Sequence, residues 1–250
     1  MVPAIDYDEV AATYAQHRRV HPEVLRSLLA ALGPASKVLE VGCGKGNYLI
    51  AIQERVGCHC CGIDSSAEML AQAGLRSGQV HLSHGSAEAL SFPEASFDLV
   101  FSVDVIHHVG DRLRFFQEAA RVLRPGGRVC TVTDSEWVIR NRQPLAVYFP
   151  ETVAVDLARY PTLAELWTAM SDAGFVQFEE QTVEFAGELS DIGSFRDKAY
   201  SCLRLISEDA FRRGLARMEE DVRAGPIAWV PRYCLVWGQS RVIRTRSAYV

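Results

Sequence analysis

The sequence predicts an α/β fold in which one mostly parallel sheet is covered by helices on both faces. Short apolar strands alternate with amphipathic helices from residue 22 to residue 134. Several strands are nearly continuous apolar runs, as in strands buried on both faces. A turn with three glycines, in VLEVGCGKGN, joins the first strand to the next helix, which is how such folds bring backbone close to a ligand.

The composition fits an ordinary globular protein and excludes several classes. The chain has 250 residues, 48% of them hydrophobic, and a formal charge of −5 without a basic stripe, which disfavours nucleic acid as a partner. No run approaches the roughly 18 apolar residues of a membrane span, and the N-terminus does not resemble a signal peptide. Seven cysteines without a framework spacing indicate a reducing compartment. We expect a cytoplasmic protein with no membrane partner, and its oligomeric state stays open.

The elements follow in order along the chain. A helix over residues 6–18, capped by Asp6, is expected to place Tyr14 and Arg18 on one face, and a second helix runs from Pro22 to Gly33. Predicted strands cover residues 37–42, 58–64, 79–85, 96–104, 128–134, 176–185 and 232–239, and further helices cover residues 47–57, 65–74, 111–123 and 162–175.

Two long segments after residue 134 lack a clean period. Residues 136–161 mix aromatic residues, arginines and prolines, whereas residues 190–225 are mostly helical in pattern. Long connections of this kind are often lids or binding loops. We expect a single domain with an N-terminal helical cap (1–33), a cofactor-binding core (36–135) and these two insertions as substrate lids.

The glycine turn fits neither of two common phosphate-binding motifs. A P-loop requires G-x-x-x-x-G-K-[ST], but Lys45 is followed by Gly46 and Leu39 stands at the first glycine position. A dinucleotide fingerprint requires G-x-G-x-x-G, whereas here the third glycine comes one residue early. Glu40 precedes the turn, and a carboxylate is a poor neighbour for a pyrophosphate but a good one for an ammonium or a sulfonium.

The pattern Glu40-x-Gly42-x-Gly44-x-Gly46 resembles the first motif of the class I S-adenosylmethionine-dependent methyltransferases. GIDSSAEML, GSAEALSFPEASFDLV and ARVLRPGGRV resemble later segments of the same family. The resemblance implies S-adenosylmethionine as cofactor and S-adenosylhomocysteine as product. It implies a Rossmann-like sheet of seven strands in the order 3-2-1-4-5-7-6, with the last strand antiparallel. The implied cofactor-binding residues are Tyr14, Arg18, Glu40, Gly42, Gly44, Gly46, Asp64, Ser65, Met69, Ser86, Ala87, Glu88 and Ser102.

Each of these residues has an implied place. Asp64 would accept hydrogen bonds from the ribose hydroxyls, Met69 would pack on the adenine, and residues 86–88 would lie at the adenine edge. Ser102 would end the strand beside the methionine half. Tyr14 and Arg18 match the subgroup akin to ubiquinone and menaquinone biosynthesis methyltransferases. Structural alternatives remain: Glu40 as a strand-end residue, Asp64 as the N-cap of a helix from Ser65, and an ordinary amphipathic first helix.

The chemistry is expected just past the fourth strand. Methyl transfer requires the acceptor, the methyl group and the sulfur in line, with water excluded, and a base helps if the acceptor carries a proton. SVDVIHHV supplies Asp104, His107 and His108. His107 is the candidate base because imidazole titrates near neutral pH, although a histidine here could instead pack or cap.

Other functions remain open. A non-catalytic protein could bind S-adenosylmethionine or S-adenosylhomocysteine without turnover, and a nicotinamide-dependent oxidoreductase is disfavoured by the glycine spacing. CHCC at residues 58–61 could suggest metal or arsenic chemistry, but neighbouring strand residues alternate faces, so Cys58 and Cys60 oppose His59 and Cys61. No metal is therefore expected. A metal-assisted catechol-type O-methyltransferase stays a minor alternative: Asp134, Glu136 and Asn141 follow the fifth strand, although their spacing does not match a defensible magnesium pattern.

A small-molecule acceptor would lie under the insertions, where aromatic residues and arginines suit a planar or anionic compound; O, N, C and S all remain open as the methylated atom. The candidate acceptor residues are Trp137, Arg140, Arg142, Tyr148, Phe149, Tyr160, Phe195, Arg196, Tyr200 and Arg204.

Overall fold

The computed structural model describes residues 19–241, so the predicted helix over residues 6–18, with Tyr14 and Arg18, lies outside the described residues. The helices are α1 (Pro22–Ala30), α2 (Asn47–Val56), α3 (Ala67–Arg76), α4 (Arg112–Val122), α5 (Glu136–Asn141), α6 (Leu145–Tyr148), α7 (Glu151–Arg159), α8 (Leu163–Asp172), α9 (Gly193–Arg196) and α10 (Glu208–Ala224). The strands are β1 (Lys37–Val41), β2 (His59–Asp64), β3 (His81–His84), β4 (Phe97–Val103), β5 (Leu123–Thr133), β6 (Phe175–Glu184), β7 (Gly187–Leu189), β8 (Ile227–Trp229) and β9 (Arg232–Ser240).

Seven strands form one sheet in the order β3-β2-β1-β4-β5-β9-β6. The first five strands in this order, β3 to β5, pair in parallel with one another, whereas β9 runs antiparallel to both β5 and β6. Counted within this sheet, the order is the predicted 3-2-1-4-5-7-6. The Rossmann-like α/β prediction is confirmed, including the antiparallel last strand.

Alternation along the central strands divides the core into two layers. Leu39 and Val100 pack on the face covered by α4 and α8. Val38 and Leu99 pack on the opposite face, covered by α1 and α2. Because both faces are covered, these strands need apolar residues at successive positions, and this is why they appear in the sequence as apolar runs.

The two insertions pack against each other around a third hydrophobic cluster. This cluster joins residues of α6 and the following turn to residues of α9 and α10, and its buried members are Leu145, Tyr148, Phe149, Ile192, Phe195, Cys202, Leu203, Phe211 and Met218. A small antiparallel pair, β7 with β8, closes this part of the chain and was not predicted. The insertions thus form one cap beside the carboxyl ends of the central strands.

One local feature differs from the sequence prediction. The RPGG segment at residues 124–127, predicted as a turn before the fifth strand, lies inside β5 at a register shift against β4. The ring of His21 caps α1, where its Nδ1 accepts a 3.4 Å hydrogen bond from the Val24 N–H. None of the helices in the described part of the chain combines the length and apolar character that crossing a bilayer requires.

Candidate functional site

The glycine turn after β1 has a backbone that other residues adopt only with strain. Gly42, Gly44 and Gly46 have φ angles of 73°, 49° and 69°, in the left-handed region. Space is also restricted at the first of them, because a Cβ on Gly42 would lie 2.3 Å from Cγ2 of Val105. The turn is fastened to β2, since the N–H groups of Gly42 and Cys43 donate to the Ile63 carbonyl at 2.8 and 3.1 Å. The glycines therefore fix both the path of the turn and its contact with the residues after β4.

Glu40 is a buried carboxyl group in β1 with an incomplete set of partners. It is only 3% exposed, and it accepts a hydrogen bond from the Leu49 backbone. Its Oε2 has no hydrogen-bond partner among the residues that the structure describes. Burial, and then the charge of Asp64, raise the pKa of Glu40 well above its usual range. Such a group favours a ligand that brings a positive charge and N–H donors, which S-adenosylmethionine carries on its ammonium.

Asp64, at the end of β2, braces the glycine turn. Its Oδ2 accepts the Gly44 N–H at 2.7 Å, and its Oδ1 accepts the Ser66 N–H at 2.9 Å. The N-cap of α3 is Ser66, whose hydroxyl accepts the Met69 N–H, so the alternative that Asp64 caps this helix is wrong. Each carboxylate oxygen retains a further lone pair for a ligand hydroxyl.

An open cavity of about 610 Å³ lies over this turn. Glu40, the first two glycines of the turn and Met69 lie in its wall, and their binding of a cofactor stays a prediction. The full lining is Arg19, Glu40, Gly42, Cys43, Gly44, Lys45, Asn47, Tyr48, Met69, Val103, Asp104 and Tyr233. We call this the first cavity.

The other predicted cofactor residues within the described part of the chain are absent from this lining; they are Gly46, Asp64, Ser65, Ser86, Ala87, Glu88 and Ser102. Glu88 accepts the N–H groups of Gly110 and Asp111, each at 3.0 Å, and so fastens the turn before α4. The hydroxyl of Ser86 accepts the Glu88 N–H at 3.1 Å. Ser102 is buried and shares a 2.7 Å hydrogen bond with Thr131 across β4 and β5.

Two further predicted residues flank the same region. The Ser65 carbonyl lies 2.9 Å from Nε2 of His84, and Ala87 packs against the core. Cofactor binding by residues 65, 86–88 and 102 stays a prediction.

A second open cavity, of about 640 Å³, lies between the sheet edge and the cap. Its lining is Asp104, Asp134, Arg142, Gln143, Pro144, Leu145, Asp156, Tyr160, Phe195, Tyr200, Ser201, Cys202, Trp229, Val230, Pro231, Arg232 and Tyr233. Asp104 and Tyr233 line both cavities. The two cavities therefore meet at this pair, and Tyr233 is a site residue that the sequence analysis did not identify.

The arginines near the second cavity already pair with carboxylates or donate hydrogen bonds to backbone carbonyls. Arg142 pairs with Asp134 at 2.9 Å and also with Asp156, which in turn pairs with Arg159 at 3.0 Å. Arg196 pairs with Glu219, and Arg204 donates to two backbone carbonyls. The expectation that arginines here favour an anionic compound finds no support, because Arg142 already faces two carboxylates.

The aromatic candidates divide between the cavity and the cap. Tyr160, Phe195 and Tyr200 line the second cavity. Trp137 is 56% exposed, and Tyr148 donates to Asp221 at 2.6 Å within the cap.

His107 lies in a short 3₁₀ segment after β4 and is absent from the lining of either cavity. Its ring stacks on Tyr160 with centroids 4.0 Å apart and contacts the His108 ring at 3.9 Å. Burial raises the pKa of Tyr160, so its phenol stays protonated beside this ring. The role of His107 as a base stays a prediction.

The cysteines behave as core residues. The predicted alternation is confirmed, since the sulfurs of Cys58 and Cys60 lie 3.7 Å apart, whereas Cys61 lies 3.6 Å from Nε2 of His59. All seven thiols are buried, and burial raises the pKa of Cys60 and Cys61, which disfavours reactive thiolates. Within residues 19–241, no group of three or more His, Cys, Asp or Glu side chains is placed to hold a metal ion.

Comparison with known proteins agrees with this geometry. Residues 39–131 match the model of a family described as a methyltransferase domain. The chain is 34% identical over 148 residues to a probable tocopherol O-methyltransferase of Oryza sativa subsp. japonica. This alignment covers 54% of this chain and 40% of the relative. The chain is 28% identical over 213 residues to a demethylmenaquinone methyltransferase of Listeria welshimeri, covering 82% and 86% of the two chains. The chain thus spans less than half of the rice relative.

A solved structure supports the fold. The phosphoethanolamine N-methyltransferase 2 of Haemonchus contortus, in complex with S-adenosyl-L-methionine, aligns with a TM-score of 0.62 at 17% identity, covering 95% of this chain and 60% of the other. The family match, the strand order and the glutamate beside a left-handed glycine turn agree with one another. The chain therefore resembles the class I S-adenosylmethionine-dependent methyltransferases, among them relatives named demethylmenaquinone methyltransferase.

Proposed function

We propose that this protein transfers the methyl group of S-adenosylmethionine to a small-molecule acceptor that binds in the second cavity. The observation that carries the proposal is the meeting of two cavities at Asp104 and Tyr233, one over the glycine turn and one under the cap. Two substrates bound in adjoining cavities would have their reacting groups at the shared wall, and holding reactants together accounts for much of the catalysis of such a reaction.

The first cavity would hold the cofactor. Bound S-adenosylmethionine supplies a methyl group already activated by its sulfonium. Glu40 would receive the ammonium of the cofactor, and the glycine turn would admit its methionine part. Asp64 would brace the turn and accept ribose hydroxyls, while Met69 would pack beside the adenine. Roles for Ser65, Ser86, Ala87, Glu88 and Ser102, and for Tyr14 and Arg18 outside the described residues, remain part of this proposal.

The cap would exclude water from the reaction. Its own hydrophobic cluster, which draws on both insertions, gives it the internal packing of a unit that can cover the second cavity. A role for His107 also remains part of this proposal, since its ring stacks on Tyr160, which lines that cavity. The buried thiols also support a cytoplasmic location.

The test is cofactor binding followed by turnover. Purified protein would be titrated with S-adenosylmethionine and with NAD by calorimetry, then incubated with methyl-labelled S-adenosylmethionine. Because the relatives are named for demethylmenaquinone and tocopherol, demethylmenaquinone would be the first acceptor, followed by a metabolite extract. Label in a small molecule supports the proposal. Binding without label transfer favours a non-catalytic protein, and binding of NAD alone would refute the proposal.

A further inference from the structure

Asp104 has a strained backbone at the point where the two cavities meet. It is the first residue after β4, and its φ of 58° lies in the left-handed region. Such a conformation is strained in a residue other than glycine and persists only where the surroundings enforce it. Here its N–H donates to the Val132 carbonyl of β5 at 3.0 Å. The backbone therefore fixes a carboxylate, only 9% exposed, in the wall of both cavities.

Tyr233 holds that carboxylate from the opposite side. Its hydroxyl donates to Oδ2 of Asp104 at 3.0 Å. The edge of the His21 ring meets the Tyr233 ring at 90°, with centroids 5.4 Å apart, and Nε2 of His21 lies 3.2 Å from the Pro231 carbonyl. The start of β9, and with it the phenol, is thus fixed independently of the turn that carries Asp104.

The charges around the second cavity leave the Asp104–Tyr233 pair as the group suited to bind a polar acceptor. Arg142 pairs with Asp134 and Asp156, and Arg232 pairs with Glu184 at 2.9 Å. An added anion would meet Asp104, Asp134 and Asp156, whereas a neutral hydroxyl or amine would find an acceptor in Asp104. We propose that Asp104 receives the proton of an O–H or N–H acceptor and that Tyr233 positions the Asp104 carboxylate; this inference rests on the proposed function. The same pair selects against anionic acceptors.

The step balances without another reactant. As the acceptor oxygen or nitrogen forms its bond to the methyl carbon, the carbon–sulfur bond breaks and its electron pair stays on sulfur. The electron pair of the O–H or N–H bond stays on the acceptor atom, and the proton moves to a carboxylate oxygen of Asp104. Asp104 is therefore a catalytic residue in this proposal, and Tyr233 is a positioning residue.

The experiment compares two tyrosine–aspartate pairs. Asp104→Asn and Tyr233→Phe would be measured beside Asp221→Asn and Tyr148→Phe, whose 2.6 Å hydrogen bond lies in the cap, outside both cavity linings. The probes are methylhydroquinone, which is neutral, and 2,5-dihydroxybenzoate, which has the same ring with a carboxylate. Binding of S-adenosylhomocysteine, binding of each probe to the loaded protein, and methyl transfer to methylhydroquinone would be recorded for every variant.

We expect all four variants to bind S-adenosylhomocysteine within about threefold of the parent. Asp104→Asn should lower kcat for methylhydroquinone by about 100-fold or more, the usual range for a lost general base. Tyr233→Phe should lower kcat by about tenfold with little change in KM, as a misplaced base would. Asp221→Asn should keep the parent kcat, and the carboxylate probe should bind at least about tenfold more weakly than the neutral one.

Four results would overturn this assignment. They are an Asp104→Asn variant with kcat within about threefold of the parent, equal affinity for the two probes, no methylation of methylhydroquinone, and a loss in His107→Gln without one in Asp104→Asn. Absent binding of S-adenosylhomocysteine to the parent would instead refute the proposed function itself, so the two failures are distinguishable.

Discussion

Replacing Glu40 with glutamine should stabilise the ligand-free protein and weaken cofactor binding. The carboxyl group is 3% exposed and its Oε2 has no partner among the described residues. Since the folded state raises its pKa, the group contributes stability below its unfolded pKa, and this contribution is lost as the pH rises toward the folded pKa. At pH 7 one glutamate with an unfolded pKa of about 4.3 can cost at most about 3.7 kcal/mol in this way.

We therefore expect Glu40→Gln to raise the free energy of unfolding of the ligand-free protein by about 1–3 kcal/mol at pH 7. For a chain of this size each kcal/mol moves Tm by about 2–4 °C. Loss of a charge-assisted hydrogen bond to the ammonium should weaken binding by about 1.5–3 kcal/mol, or about 10- to 150-fold in Kd. Affinity of the parent should rise with pH as Glu40 ionises, whereas that of the variant should not.

Calorimetry at pH 6, 7 and 8, with and without S-adenosylhomocysteine, measures both effects. Glu118→Gln is the matched control, because Glu118 is also buried but is bound by Arg121 at 2.7 Å and by the Leu90 N–H at 2.9 Å. The hydrogen bond from Arg121 lowers the pKa of Glu118, so its carboxylate stabilises the fold above the unfolded pKa and the control should be less stable. A Glu40→Gln variant that is less stable than the parent, or that binds the ligand equally well, would refute the reasoning.

Three further predictions concern the glycine turn, the residue that caps α1 and the second cavity. Gly42→Ala should destabilise the fold by about 1–3 kcal/mol and weaken cofactor binding, because its Cβ would lie 2.3 Å from Val105. Denaturant unfolding should show a smaller loss for Gly44→Ala, whose Cβ would meet no atom of residues 19–241 within 4 Å. Burial lowers the pKa of His21, so the stability it contributes should be lost as the pH falls below about 6.5, and thermal scans of His21→Asn should show a flatter pH profile than the parent. Arg142→Met should cost about 3–5 kcal/mol in urea unfolding, since it leaves the buried Asp156 with Arg159 alone; a loss below about 1 kcal/mol would contradict this.

The sheet was predictable because its strands are short, apolar and separated by helices of clear period. The left-handed turn was also predictable, since a backbone with repeated positive φ angles leaves a glycine spacing in the sequence. Asp64 shows what the sequence could not predict about this turn. Its position at the end of β2 predicts a ligand contact, but the sequence does not show that both its oxygens already hold backbone N–H groups of the turn and of α3.

The charges of the second cavity could not be predicted from the sequence. Arg142 lies eight residues from Asp134 and fourteen from Asp156, and no helix or strand period links these positions. Only the packing of α5, α7 and the end of β5 brings the three side chains together. The many arginines in the sequence therefore suggested an anion-binding site, whereas in the folded protein carboxylates largely balance the arginine charges of this cavity.

Tyr233 was missed because of the direction of its strand. In a parallel sheet, ligands lie at the carboxyl ends of the strands, so residues that follow an apolar run attract attention. The strand β9 runs antiparallel, and its register pairs Cys234 with Thr133, the last residue of β5. An antiparallel strand thus brings its first residues to the edge where its parallel neighbours end. Tyr233 reaches Asp104 for this reason, although it lies outside the 39–131 family match.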